Sequence, residues 1–264
     1  MIAALRYEWV RITTVRSTRI CLVLALLFGA GLGYLASNPT YNNFDDTGNP
    51  IGEQTVDWYG AFGFPLLLAA VLASIVAAQA IGQEYRFGLI RLTLTAFPQR
   101  ARILLAKLAL VVLACAVIAL LSYLGSWIGV TLHGFPTPPA NVDAPDSTFL
   151  IRGVAFVVLW GLSAFALAGV TRQTAIGIAV PLISGLVVEN ILRTVLYDRA
   201  RWLVDILPWS TATRWLSSTV DAGPPDPNFV VDNAPVAWAA LGIFAVWVAV
   251  FLAAQVVSFL RRDA

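Results

Sequence analysis

Residues 82–100, GQEYRFGLIRLTLTAFPQR, place a glutamate, several arginines and a proline between two long apolar runs. Glu84 follows directly on the first run, and arginines lie before and after Pro98. Such side chains form ion pairs and charged hydrogen bonds, whereas catalysis needs a base positioned beside an acid or a nucleophile. The segment therefore predicts a contact or force-transmitting element rather than a catalytic centre.

The rest of the chain also lacks the residue types of an enzyme. A phosphate-binding loop has the pattern G-x-x-x-x-G-K-[ST], yet the single lysine, Lys107, is followed by Leu108. The single histidine, His133, stands in a predicted loop, and a lone histidine is no metal site without convergent partners. We therefore expect no catalytic residue, metal or cofactor on this chain. If ATP drives the protein, another chain binds ATP and Mg²⁺.

A second polar group, Glu189, Asn190 and Arg193, lies near the end of a later apolar run. Ionisable residues within a membrane span are functional candidates by default. Glu189 and Arg193 are four residues apart, on one helical face, so an ion pair that serves structure or gating is one interpretation. A proton relay through Glu189 is the other.

The composition indicates the solvent around these residues. Of 264 residues, 59% are hydrophobic and 12% are charged, which is about half the charged share of a typical water-soluble domain. Several apolar runs exceed the roughly 18 residues that mark a membrane-spanning helix. The chain is therefore predicted to be an all-α membrane protein with one domain, 1–264. Its six predicted spans are Ile20–Ala36, Trp58–Ala80, Ile103–Val130, Phe149–Val170, Ala175–Val195 and Pro235–Leu260.

Basic residues predict the orientation, because cytoplasmic loops of membrane proteins carry an excess of arginine and lysine. With the N-terminus inside, twelve of the 17 basic residues lie on the inner side. The inner set is Arg6, Arg11, Arg16, Arg19, Arg86, Arg91, Arg100, Arg102, Lys107, Arg172, Arg261 and Arg262. The outer set is Arg152, Arg193, Arg199, Arg201 and Arg214. Both termini and residues 82–102 are thus predicted to be cytoplasmic.

The first nineteen residues have a helical pattern of their own. Apolar Ile2, Leu5, Trp9 and Ile12 recur at three- and four-residue spacing, with the arginines off that stripe. This pattern predicts an uncleaved amphipathic helix that lies in the inner membrane interface, with its apolar face in the lipid.

The outer connections differ in composition. Asn38–Pro50 and Phe135–Pro145 are rich in Pro, Asn and Asp, which predicts irregular loops. The longest, 197–234, carries several tryptophans among charges in its first half, typical of short helices at the outer interface. Its second half is predicted to be loop.

Residues 82–102 show a helical pattern with a break. Tyr85, Leu89 and Leu92 recur at helical spacing, and Pro98 stops the helix or starts the next one. The prediction is a short helix, an interruption, and a restart as the third span. Such an element can pass a displacement to the second and third spans together.

The order Glu84-x-x-x-Gly88, an apolar stretch, then Pro98-x-Arg100 resembles the coupling segment of the type-2 permease family of ATP-binding-cassette (ABC) exporters. The stretch LRYEWVRITTVRSTR is similar to the interfacial helix that leads into that family's first span. The six-span order is similar as well. This chain departs from the family at Leu89, where a threonine commonly follows the glycine.

The resemblance implies a division of labour between subunits. Two permease subunits, a second copy of this chain or a related one, form the pathway by alternating access, and separate cytoplasmic ATPase subunits dock on them. The implied ATPase contacts are Glu84, Tyr85, Arg86, Gly88, Arg91, Pro98 and Arg100. In that family the second and fifth spans line the pathway. The implied pathway or gate residues are Phe62, Phe64, Leu68, Pro181, Val188, Glu189, Asn190 and Arg193.

Two other classes of function stay open. One is a proton-coupled secondary transporter that uses Glu189, and the other is a non-transporting membrane scaffold. We see no internal repeat of the kind found in carriers built from inverted halves. The sequence identifies neither the transported substrate nor the partner permease, and it predicts the lipid bilayer but no nucleic acid as a partner. The preference for arginine over lysine indicates a GC-rich, bacterial genome and hence a bacterial cell membrane.

Two small-residue motifs, Gly29-x-x-x-Gly33 and Gly125-x-x-x-Gly129, lie within the first and third spans. Such motifs let helix backbones approach closely. We interpret them as packing within one chain rather than as a seam between two chains.

Overall fold

Six helical stretches of the protein are long and apolar enough to cross a membrane, so the all-α, six-span prediction is confirmed. A computed structural model describes residues 2–37, 40–44, 50–55, 59–90, 100–133, 147–196, 199–217 and 237–262. The six stretches are Arg16–Ala36, Gly60–Arg86, Ala101–Leu132, Phe149–Thr171, Thr174–Leu196 and Trp238–Phe259. Helices suit this solvent because they satisfy the backbone N–H and C=O groups within one segment.

The described helices and strands are numbered here in chain order. They are α1 (Ile2–Thr14), α2 (Arg16–Ala36), β1 (Thr40–Phe44), β2 (Pro50–Thr55), α3 (Phe64–Arg86), α4 (Arg100–Leu132), α5 (Ser147–Thr171), α6 (Thr174–Ile183), α7 (Glu189–Leu196), α8 (Arg201–Val204), α9 (Pro208–Ser217) and α10 (Ala237–Arg262). A π-helical turn, Tyr59–Gly63, precedes α3. A second π-helical turn, Ser184–Val188, joins α6 to α7. We call the end of the bundle where α3 stops and α4 begins the Glu84 end, and the opposite end the Glu189 end.

The connection after the first span is more regular than its composition predicts. β1 and β2 form an antiparallel pair in which Tyr41 faces Gln54 and Phe44 faces Pro50. The prediction of an irregular loop over Asn38–Pro50 is therefore wrong for the part that pairs. The predicted loop Phe135–Pro145 lies outside the described residues.

The segment between the fifth and sixth spans contains helices where tryptophans predicted them. α8 and α9 both lie in its first half. Their position at a membrane surface stays a prediction. The second half, 218–236, lies outside the described residues.

The second span is the centre of the bundle. In its most apolar 18-residue stretch, 72% of the residues are buried inside the protein. The corresponding share is 22% in the first, fifth and sixth spans. The same helix ends at the Glu84 end, where the polar segment begins.

The two glycine motifs pack against each other between α2 and α4. A Cβ atom added to Gly33 would lie 2.9 Å from the Ser126 Cα, and one added to Gly125 would lie 2.9 Å from the Ala30 nitrogen. Both distances are too short for a side chain, so the two backbones touch directly. The interpretation as packing within the chain is confirmed.

The fifth span is one hydrophobic stretch but not one regular helix. Pro181 lies inside α6, and the π-helical turn Ser184–Val188 follows at once. Proline and π-helical turns are two of the known causes of helix kinks. The span therefore consists of two halves, α6 and α7, on either side of an irregular middle.

The N-terminal helix forms as predicted, and its position in the membrane interface stays a prediction. Glu8 is buried against the bundle and Arg11 is mostly covered, whereas Trp9 is 52% exposed. Of the apolar stripe, Trp9 is free to face lipid, whereas Leu5 packs against the core of the bundle. Glu8 and Arg11 lie on the side of α1 that meets the bundle, where both form ion pairs with other helices.

Candidate functional site

Four charged side chains meet inside the protein at the Glu84 end. Lys107 Nζ lies 2.5 Å from Glu8 Oε1 and 2.5 Å from Glu84 Oε1. Arg11 pairs with Glu84 as well, and its Nη1 lies 3.3 Å from Glu8 Oε2. The side chains of Glu8, Glu84 and Lys107 are at most 1% exposed. We call these four residues the charge cluster.

Three separate helices supply the charge cluster. Glu8 and Arg11 are three residues apart on α1, so they share a face. Glu84 lies in the last turn of α3, and Lys107 lies in the second turn of α4. The cluster therefore ties the N-terminal helix to the two spans that flank residues 82–100.

Backbone contacts strengthen the tie between α1 and α3. Arg11 Nη2 donates hydrogen bonds to the carbonyl oxygens of Ala80 at 2.7 Å and Gln79 at 3.3 Å. The Gln79 side chain also accepts a hydrogen bond from Ser17 Oγ at 2.5 Å, at the start of α2. These bonds hold the end of α3 against the junction of α1 and α2.

The charges of the cluster balance, two carboxylates against two cations. Burying an unpaired charge costs far more than burying a hydrogen-bonded pair, so each partner depends on the others. Removing one member of a buried pair typically costs about 3–5 kcal/mol. The cluster can therefore hold three helices in one arrangement.

Glu84 is the residue on which the predicted ATPase contact was centred, and the structure places it inside the chain. Its carboxylate faces Arg11 and Lys107 rather than the surface. Its contacts in this structure therefore lie within the chain, and a contact between Glu84 and an ATPase stays a prediction. The spacing identified an important residue but not these partners.

The residues after Glu84 are accessible. Arg86, Gly88 and Leu89 are exposed, and Phe87 is 64% exposed, whereas Tyr85 is half-buried. Arg91 and Pro98 lie outside the described residues, and Arg100 is the first residue of α4. The ATPase contact through Tyr85, Arg86, Gly88, Arg91, Pro98 and Arg100 stays a prediction.

Gly88 has a conformation that explains its residue type. Its φ is +67°, in the left-handed region that glycine enters at little cost. The amide of Gly88 donates to the Tyr85 carbonyl at 3.3 Å, and that of Phe87 donates to Gln83 at 3.0 Å. The glycine thus follows the end of α3 in a conformation that lets the helix stop there.

Three members of the charge cluster were not predicted as site residues from the sequence: Glu8, Arg11 and Lys107. Lys107 served to exclude a phosphate-binding loop and to orient the chain, although an ionisable residue with apolar neighbours on both sides is itself a signal of a buried partner. Glu8 is the single acidic residue in α1 and carries the same signal. Among the described residues, no three His, Cys, Asp or Glu side chains are placed to hold a metal ion.

The predicted pathway residues of the second span do not share one environment. Phe62 is fully buried and its ring lies 5.1 Å from that of Tyr123 and 5.4 Å from that of Trp127. Phe64 and Leu68 are exposed on α3. Phe62 is therefore a core residue of this chain, and the other two remain candidates.

The polar group of the fifth span is arranged differently from its prediction. Glu189 is buried and accepts a hydrogen bond from the backbone N–H of Ser210 at 2.5 Å, in the first turn of α9. Arg193 is exposed and forms no ion pair with Glu189, so the predicted pair is wrong. Asn190 is exposed and its amide donates to the Leu186 carbonyl.

The two remaining candidates of the fifth span differ in exposure. Pro181 is buried within α6, and Val188 is 42% exposed. Of these two residues, Val188 can therefore line a pathway at the surface of the chain, and Pro181 cannot.

A comparison with known protein families matches nearly the whole chain. The profile of the family described as ABC-2 family transporter protein matches residues 3–264. The chain belongs to the ABC-2 transporter family. Members of this family are membrane subunits of ABC transporters, and this ABC-2 chain is accordingly a multi-pass membrane protein of a transport system. A comparison with curated proteins gives no match.

Proposed function

We propose that this ABC-2 chain is the permease subunit of an exporter that separate ATPase subunits drive, and that residues 82–100 receive their movement. Family membership supports the transport role. The coupling role is supported by one observation above all: the base of the exposed segment is tied by buried charges to two other helices.

The proposed mechanism follows from the cost of separating those charges. Pulling Glu84 away from Lys107 or Arg11 would leave buried charges without partners, so the ends of α1, α3 and α4 move together. When ATP closes the ATPase subunits, residues 86–90 would be displaced with them. The displacement then reaches three helices at once and changes which side of the membrane the pathway faces.

The remaining parts of the proposal come from charge distribution and family likeness. The Glu84 end, with both termini, faces the cytoplasm of a bacterial cell, because the basic residues are concentrated there. Two permease subunits, identical or related, form the pathway. Phe64, Leu68, Val188, Asn190 and Arg193 are its candidate lining residues, since they are exposed on the second and fifth spans.

Copurification tests the proposal. The full chain is extracted from its own membrane in a mild detergent, and bound proteins are identified by mass spectrometry. We expect an ATPase with a phosphate-binding loop in comparable amount, and less of it with Arg86→Glu, because Arg86 is exposed beside Phe87. Arg261→Glu, at an exposed arginine of α10, is the matched control. Purification without any ATPase would contradict the proposal.

A further inference from the structure

The turn between α5 and α6 has an unusual backbone at Arg172. Its φ is +58°, the only positive value at a non-glycine residue among those described. A bulky residue rarely adopts this conformation, and it persists only where surrounding contacts hold it. The conformation therefore raises the question of what holds Arg172.

The contacts of this turn lead to the end of α3. The Arg172 guanidinium carbon lies 5.2 Å from the centre of the Tyr85 ring, directly after Glu84. One turn earlier in α3, a Cβ atom added to Gly82 would lie 2.9 Å from the Thr174 Cα. The turn thus touches the base of the 82–100 segment through a cation–π contact and through its backbone.

The helix that follows this turn is held differently in its two halves. In α6, Gly177 packs against α5, where an added Cβ would lie 2.7 Å from the Ala164 carbonyl oxygen. In α7, Glu189 is bonded to α9 at the opposite end of the bundle. Pro181 and the π-helical turn lie between these anchors, so the first half can change its angle without moving the second.

We propose that Arg172 is a positioning residue that makes the first half of the fifth span follow the end of α3. Its guanidinium on Tyr85 transfers a displacement of residues 82–90 to α6, and the bend at Pro181 absorbs the change. The inference rests on the proposed function. It assigns a route to the fifth span that is separate from the charge cluster, which holds α1, α3 and α4.

A cysteine at Ala175 reports on this movement. Ala175 is exposed and directly follows Thr174, while the native Cys21 and Cys115 are buried, so a water-soluble maleimide reacts mainly at the new position. The rate of labelling is measured in the purified complex with its ATPase, without nucleotide and with the ATPase trapped by ATP and vanadate. The Arg172 variants are made in this background, and Gln173→Ala, at the exposed neighbour, is the matched control.

We expect trapping to change the labelling rate in the parent and in Gln173→Ala. A cation–π contact shifts an equilibrium by about 2- to 30-fold, so the change should shrink by that factor in Arg172→Ala and in Tyr85→Leu. Tyr85→Phe keeps the ring and should behave as the parent. Arg172→Lys keeps the cation and should retain part of the change. If Arg172 had only a structural role, its variants would lower the stability of the protein and leave the change in labelling on trapping as in the parent.

The outcomes distinguish failure of the proposed function from failure of the role assigned to Arg172. If no ATPase copurifies with the parent, the proposed function fails and the inference fails with it. If the ATPase copurifies and trapping changes the labelling of Arg172→Ala as much as that of the parent, the proposed function stands and Arg172 has no positioning role.

Discussion

The two buried glutamates of the spans differ in what neutralises them. Glu84, at the end of the second span, meets the full charges of Lys107 and Arg11, which come from two other helices. Glu189, in the fifth span, meets the backbone N–H of Ser210 at the start of α9. The first arrangement joins three helices through charges that depend on one another. The second joins two helices through a hydrogen bond that a neutral acceptor could replace.

Removing Lys107 breaks the first arrangement and should have the largest effect. Lys107→Met leaves Glu8 and Glu84 buried with Arg11 as their remaining cation, so the free energy of unfolding should fall by about 3–5 kcal/mol. Denaturation in detergent measures this. Adding Glu8→Gln should recover part of the loss, because one unpaired carboxylate is removed. Equal stability of Lys107→Met and the parent would mean that the cluster does not hold the helices.

Changing Glu189 should have a smaller effect that depends on the replacement. Glu189→Ala leaves the Ser210 N–H without its acceptor, a loss of about 1–3 kcal/mol. Glu189→Gln keeps an acceptor oxygen and should cost less than Glu189→Ala in the same unfolding assay. If Glu189→Gln instead abolished proton-driven transport at unchanged stability, the chain would be a secondary transporter.

The ion pair between Arg214 and Asp205 tests the role of burial. Its atoms lie 2.5 Å apart, as close as in the charge cluster, but the side chains are 13% and 23% exposed. Arg214→Gln should therefore lower the free energy of unfolding by only about 0.2–1 kcal/mol. A loss as large as that of Lys107→Met would show that burial is not what distinguishes the cluster.

Exposed arginines near each glutamate should matter least for stability. Arg16 at the Glu84 end and Arg193 in α7 are exposed and form no ion pair with any described residue. Arg16→Gln and Arg193→Gln should each change the unfolding free energy by no more than about 0.5 kcal/mol. A larger loss in either variant would point to a partner outside the described residues.

The sequence predicted the fold better than it predicted the partners of each charge. Apolar runs of sufficient length predicted the six spans, and the glycine motifs predicted close packing within the chain, because both signals are local. That the two motifs pack against each other is known only from the structure. The ion pairs of the cluster join residues far apart in the chain: Arg11 is 73 positions from Glu84, and Glu8 is 99 positions from Lys107. One sequence carries no information on such pairings.

The partner of Glu189 could not be predicted from the sequence either. The four-residue spacing to Arg193 offered a local partner, and the folded chain uses a distant one. That partner is a backbone N–H. Every residue except proline has one, so the residue type does not indicate which N–H will bind. Position within an apolar run therefore identified the important carboxylates, and only the fold identified their contacts.

The most direct test of the coupling proposal places a photoreactive benzoylphenylalanine at Phe87 and identifies its crosslinked partner in intact cells. Phe87 is 64% exposed, two residues after Tyr85, and Leu132, 71% exposed at the other end of α4, serves as the control position. We predict an adduct between position 87 and an ATPase that carries a phosphate-binding loop, and none from position 132. Failure of position 87 to capture any ATPase, or equal capture from position 132, would contradict the account.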